Sequence, residues 1–132
     1  MYHLDTNVCI EVLNGTSDRL VERLRQQAAS EIALSAVVRA ELLYGARRSQ
    51  RVSENLNLLR RFSAPFRILP FDDRCAEHYG MIRAELEGQG RVIGPNDLLI
   101  AATARAHDAV LVTGNTDEFS RVAGLAIGDW LA

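Results

Sequence analysis

The sequence contains no lysine: all fifteen basic residues among its 132 are arginine. That absence excludes Schiff-base lysines, the phosphate-cradling lysine of a P-loop and the lysine partner of most aspartyl-phosphate sites. Any contact with phosphate has to come from arginine, backbone amides or a metal. A GC-rich codon habit produces the same bias, and the chemical exclusion stands under either origin. Cysteine is also scarce. Cys9 and Cys75 are lone thiols without CxxC or Cys/His spacing. Cys9, among apolar neighbours, reads as a small buried hydrophobe, and a disulfide is not expected in a reducing compartment. His3, His78 and His107 form no HExxH or HxH pair, so no zinc site is expected. No apolar run reaches the ~20 residues that span a bilayer. The first segment, MYHLDTNVCIEVLNG, lacks a basic leader and a small-residue cleavage site. The expectation is a soluble cytoplasmic protein with no membrane role.

What remains is 48% hydrophobic and 24% charged residues, with a net charge of −2. This suits one compact domain over residues 1–132, which buries about two-thirds of the surface of its unfolded chain. There is no linker, low-complexity segment or internal repeat. Tyr2 to Leu4 reads as a short strand and Thr6 to Leu13 as a helix stopped by Asn14-Gly15. Ser17 or Asp18 caps a second helix over Leu20–Ala28. A strand over Glu31–Leu34 precedes an apolar helix from Ser35 to Ala46. Val52 to Phe62 is amphipathic, with Leu56, Leu59 and Phe62 on one stripe. Phe66 to Phe71 is strand-like, and Pro70 puts its end at an edge or turn. Asp73 to Glu87 is a long helix, and Gly94-Pro95 opens another through Ala106. Ala109 to Thr113 is a buried strand, Asn115 to Phe119 a turn or short helix, and Leu125 to Ile127 a last strand. Strands separated by helices predict parallel pairing and an α/β three-layer sandwich around a short, mainly parallel sheet.

In such a sheet, ligands bind outside the carboxyl ends of the strands. Three acids stand there or in apolar helices, each with a plainer alternative. Asp5 follows the first strand, where an aspartate also caps helices. Glu41, in SAVVRAELLYGA, sits in a nearly apolar helix. A buried carboxylate needs a partner, either an arginine or a metal ion. Asp97, in IGPNDLLIAATARA, lies in a first helical turn, where the helix dipole also favours it. Asn115, Thr116, Asp117 and Glu118 follow the strand AVLVT, and one of the two acids reads as surface charge. Clustered carboxylates repel each other unless cations neutralise them. Oxygen donors without histidine or thiol select Mg²⁺ or Mn²⁺, the equipment of phosphodiester cleavage.

The segments YHLDTNVCI, SAVVRAELLYGARRS, RVIGPNDLLIAATARA and AVLVTGNTDEF, in this order and spacing, resemble PIN-domain ribonucleases, more closely the VapC toxins of bacterial VapBC toxin–antitoxin systems. The likeness runs from Leu4 to Trp130. It implies a PIN-like fold, a magnesium-dependent endoribonuclease and an acidic centre of Asp5, Glu41 and Asp97, with Asp5 and Asp97 the most direct metal ligands. For the fourth acid it points to Glu118, then Asp117, with Asn115 standing where many relatives carry aspartate. Thr6, Asn7, Ser35, Thr113 and Asn115 match polar positions that support the carboxylates. The resemblance further implies a homodimer, a VapB-like antitoxin whose arm lies over the early helices, and a structured RNA target such as a transfer RNA anticodon loop. Leu56, Leu59 and Phe62 line that groove or belong to the core. Arg47, Arg48, Arg51 and Arg91 are either phosphate contacts or solvated helix-end charges. A net charge of −2 favours an RNA groove shared by two subunits over a large footprint on one. Two other classes compete: an aspartyl-phosphate phosphatase or receiver, opposed by the missing lysine and by Asn7, and a catalytically silent PIN-like binding module.

Overall fold

The computed structural model describes residues 1–131. Five strands, β1 (Tyr2–Leu4), β2 (Ile32–Ser35), β3 (Arg67–Leu69), β4 (Val110–Val112) and β5 (Ala126–Gly128), form one sheet in the order β3-β2-β1-β4-β5. Every pairing is parallel, so the sheet is more uniform than the mainly parallel one expected. Parallel strands need long crossovers, and helices supply them. Helices α1 (Thr6–Asn14) and α2 (Asp18–Arg25) join β1 to β2, and α3 (Ala36–Arg47) and α4 (Val52–Ser63) join β2 to β3. The return from β3 runs through α5 (Asp73–Gly88) and α6 (Pro95–Ala106) to β4, and the short α7 (Thr116–Phe119) leads to β5.

The path moves outward from β1 through β2 to β3, then comes back to the other side of β1. Right-handed crossovers therefore place α1–α4 on one face and α5–α6 on the other. The packing agrees: α1 and α4 lie against α3, and α5 runs along α6. Small side chains allow the close approach of α6, where Ala101, Ala102 and Ala104 are fully buried. The central strands are buried as well, with Leu4, Ile32, Leu34, Leu111 and Val112 in the core. The direction reverses between β1 and β4, which opens a crevice at their carboxyl ends.

Local rules explain the boundaries. Gly15 ends α1 in the left-handed conformation (φ 64°), which glycine adopts without a Cβ penalty. Ser17 and Ser35 cap α2 and α3 by accepting from the Leu20 and Val38 amides. The second helix stops at Arg25 rather than Ala28, and Ala29–Glu31 forms a single 3₁₀ turn. β3 is shorter than Phe66–Phe71: the Phe66 amide turns back to the Ser63 carbonyl, and Pro70 has no amide to donate. β5 begins one residue later than expected because the Leu125 amide is held by Val122 in a turn. Along α4, Leu56 and Leu59 are buried, while Phe62 is half-buried and meets Phe66 edge-on at 5.4 Å.

Candidate active site

Four acidic side chains gather where the crevice opens. Asp5 comes directly after β1 and is 4% exposed. Its Oδ1 accepts from the Thr6 amide at 2.8 Å, and its Oδ2 accepts from the Thr113 hydroxyl at 2.8 Å. The capping alternative is therefore real, since Asp5 does cap α1. It occupies one oxygen, and the other belongs to a bond between the ends of β1 and β4. Burial pushes the Asp5 carboxyl above its ordinary value against these two hydrogen bonds, and the charges of Glu41 and Glu118 push the same way.

Glu41 lies in the second turn of α3. The Thr6 hydroxyl donates to its Oε1 at 2.6 Å, and the Asn96 amide donates to its Oε2 at 3.2 Å. The arginine partner weighed from sequence is not there. Among the described residues the ion pairs join Met1 to Glu31, Arg51 to Glu54 and Arg83 to Glu87, and none reaches this cluster.

Asp97 sits in the first turn of α6, behind Gly94 and Pro95. Its carboxyl is pushed up to about 7, first by burial, then by its hydrogen bond with Glu118 and that group's charge, then by Asp5 and Glu41. Glu118 moves the opposite way. The Gly94 amide donates to its Oε1 at 2.8 Å and holds it below its ordinary value, with help from Asp97, Asn115 and the charge of Arg121. The Asn115 side chain donates to Glu118 Oε2. Of this carboxyl pair, Asp97 therefore keeps the proton and Glu118 the charge.

The remaining candidates lie at varying distances from this cluster. Thr6 and Thr113 each hold a carboxylate, and the Thr113 hydroxyl also accepts from the Asn115 amide at 3.0 Å. Ser35 is buried and caps α3, so it orients Glu41 through the helix rather than by touching it. Asn7 is exposed and lines a hollow with Asn115, Glu11 and Gly114, hydrogen-bonded to none of the four acids. Asp117 is exposed on α7 and bonds to none of them either, whereas Glu118 is held by Gly94 and Asn115. Arg47 and Arg91 are exposed. Arg51 is engaged by Glu54 at 3.5 Å, and Arg48 folds over Tyr44. Two participants escaped the sequence reading. Asn96 binds Glu41 from α6, and its signal was adjacency to Asp97. The Gly94 amide has no side chain to announce it.

The donor set is all oxygen, which suits a hard cation such as Mg²⁺ or Mn²⁺. Among the described residues, no three acidic, histidine or cysteine side chains converge closely enough to enclose an ion as they stand. Their oxygens are turned instead toward Thr6, Thr113, Asn96, Asn115 and Gly94. Charge makes the fit: the repulsion that holds a proton on Asp97 is the repulsion a divalent cation relieves. Beside Glu41, an apolar groove of about 250 Å³ runs between α1, α3 and α4, lined by Ile10, Leu13, Leu42, Leu58 and Leu59 among others. Leu59, read from sequence as core or groove, serves both, while Leu58, which is 45% exposed, went unnoticed.

Comparison with known proteins places this arrangement. Residues 2–125 match the family described as PIN domain. The chain is 40% identical over 131 residues to ribonuclease VapC2 of Rickettsia felis, covering 98% of each. It is 40% identical over 129 residues to the tRNA(fMet)-specific endonuclease VapC of Shigella flexneri, covering 98% of this chain and 97% of that one. Among solved structures, VapBC2 of Rickettsia felis bound to a promoter DNA fragment superimposes with a TM-score of 0.93 at 40% identity over 98% of both chains. The DNA-bound VapBC of Salmonella typhimurium also gives 0.93, at 36% identity over 98% of this chain and 97% of that one.

Proposed function

The chain belongs to the PIN-domain family, in its VapC ribonuclease branch, and from that membership we propose that it is the toxin of a VapBC-type pair, a metal-dependent endoribonuclease. The observation that carries the reading is the crowding of four carboxylates at the β1–β4 crevice with no arginine paired to any of them among the described residues. Such a cluster costs stability unless it serves a cation.

Asp5 and Asp97 are the direct ligands in this reading, with Glu41 and Glu118 completing the acidic wall. Bound there, Mg²⁺, or Mn²⁺ in its place, supplies Lewis acidity toward the phosphodiester and a water that ionises near neutral pH. The chain's own groups do the rest. Thr113 and the Thr6 amide fix both oxygens of Asp5. Thr6 and Asn96 hold Glu41 from two elements, which leaves its carboxylate oriented to accept a proton from the attacking water. The Gly94 amide and Asn115 keep Glu118 ionised. Hydrolysis leaves 5′-phosphate and 3′-hydroxyl ends. The aspartyl-phosphate alternative finds no support, since both Asp5 oxygens are engaged and no lysine exists to assist.

The substrate in this proposal is a structured RNA presenting unpaired bases, such as a transfer RNA anticodon loop, in keeping with the name of the Shigella relative. The partner is a VapB-like antitoxin, as in the complexes of the similar structures, and the apolar groove beside Glu41 is the seat of its arm. The chain works as a single PIN domain over 1–132, as a homodimer and in the cytoplasm. No helix among the described residues is long and apolar enough to cross a membrane.

The test is digestion of total bacterial RNA by antitoxin-free protein, with Mg²⁺ and with EDTA, comparing wild type with Asp5→Asn. The expected result is a discrete cut that needs the metal and is lost in the variant while its circular dichroism is unchanged. Equal cutting by both proteins would refute the site. No cutting by either would favour a silent binding module.

A further inference from the structure

Cleavage chemistry makes no use of one organised feature of α3. Tyr44 is 64% exposed, the highest value among the large hydrophobic side chains that face solvent. Its ring is braced: the Arg48 guanidinium carbon lies 5.6 Å from the ring centroid, and Arg48 Nη1 approaches the Tyr44 hydroxyl at 3.5 Å. A bare aromatic ring in water forfeits the free energy its burial would return, so a ring held in place there is poised to be covered.

Its position says by what. Residues 41, 44 and 48 are spaced three and four apart, so on a helix of 3.6 residues per turn they share one stripe. Helical side chains lean toward the N-terminus of their helix, which inclines Tyr44 toward the turn that carries Glu41. The stripe therefore runs from a carboxylate of the active site to an aromatic face and then to a cation. The acids suit a metal ion and repel a phosphate unless a cation stands between them, and nothing in that cluster offers a surface to a base.

We infer that Tyr44, braced by Arg48, is a stacking platform for an unpaired RNA base adjoining the scissile phosphate. The inference rests on the nuclease reading above. Every base presents a π-face to an aromatic ring, and an arginine beside it adds cation–π attraction and a positive charge for the neighbouring backbone. A base locked in a duplex cannot offer that face, so the platform selects loops over stems. Arg48 thereby acquires a role distinct from that of Arg51, whose guanidinium is engaged by Glu54.

The experiment is steady-state cleavage of a labelled RNA stem-loop by the full chain with Mg²⁺, comparing wild type, Tyr44→Ala and Tyr44→Phe. Because Tyr44 is exposed, the variants are expected to melt with the wild type. Tyr44→Ala should raise KM about tenfold with kcat kept, and Tyr44→Phe should restore KM because stacking needs the ring and not the hydroxyl. The same stem-loop with abasic loop positions should erase the difference between wild type and Tyr44→Ala. An unchanged KM in Tyr44→Ala, with wild type cutting normally, overturns the platform and leaves the nuclease intact. Unchanged cleavage with weaker inhibition by a VapB-like antitoxin assigns the ring to that partner and also overturns it. A wild type that cuts no RNA overturns the nuclease reading and the platform together.

Discussion

A carboxyl group held at about 7 carries its proton in a large fraction of molecules at neutral pH, and Asp97 is in that condition. Unfolded, the same group titrates near 3.8. The folded chain thus binds the proton more tightly, and the stability this gives is complete below the unfolded value and lost as pH rises toward 7. His3 acts in the opposite sense. It is 2% exposed in the centre of the sheet, both ring nitrogens lack a hydrogen-bond partner, and its ring lies 5.6 Å from that of His107. Burial first, then the charges of His107 and the N-terminus, lower it from 6.5 to about 4. Stability from neutral His3 is complete above 6.5 and lost as pH falls toward 4. The two slopes oppose each other between about pH 4 and 6.5. In metal-free protein, Asp97→Asn removes one falling contribution, so its urea midpoint should gain on the wild type as pH rises across that window. His3→Leu removes the rising contribution, so its midpoint should lose ground to the wild type over the same range. A variant whose profile runs parallel to the wild type would contradict the assignment of the group it removes.

Elements differ in how much of the site they carry, and two substitutions separate the cases. Ser35→Ala removes the cap of α3 and should cost about 1 kcal/mol in denaturant melts with kcat nearly kept, because Glu41 retains Thr6 and Asn96. Phe119→Ala should cost about 3–5 kcal/mol and lower kcat as well. The reason is that α7 has only four residues, and the fully buried Phe119 ring is what anchors Glu118 beside Gly94. A kcat unchanged in Phe119→Ala would mean that Glu118 is held without its neighbour. The same contrast explains what could be read in advance. Helices with a capping serine, a terminating glycine or a proline start, such as α1, α3 and α6, announce themselves locally through their own backbone demands. Asp5, Glu41 and Asp97 were legible as acids out of place beside strand ends or in apolar helices. The end of β3 and the onset of β5 depend on which carbonyl each amide finds, which sequence spacing does not encode. The resemblance already put Glu118 ahead of Asp117, whereas the residues alone left the two acids equal; what the sequence does not show is the Gly94 amide that holds Glu118. Asn96, Tyr44 and Leu58 passed unremarked because each looks like ordinary helix surface until its neighbours are known.

At the scale of the molecule, the four acids come from positions 5, 41, 97 and 118, and the sheet order, with the helices that follow its strands, brings them to one place. Neither end of the chain holds a working half. The Thr113 hydroxyl that steadies Asp5 is 108 residues away along the backbone. Contacts of such separation bear the greatest loop-closure cost and tend to form late, whereas the local turns of α1, α3 and α5 form early. Refolding from urea should therefore show helical signal returning before RNA cleavage does, and simultaneous recovery would speak against this order. Until β4 closes against β1, Asp5 lacks its Thr113 partner and stands apart from Glu118. A chain of this topology is harmless to RNA until its two ends have met.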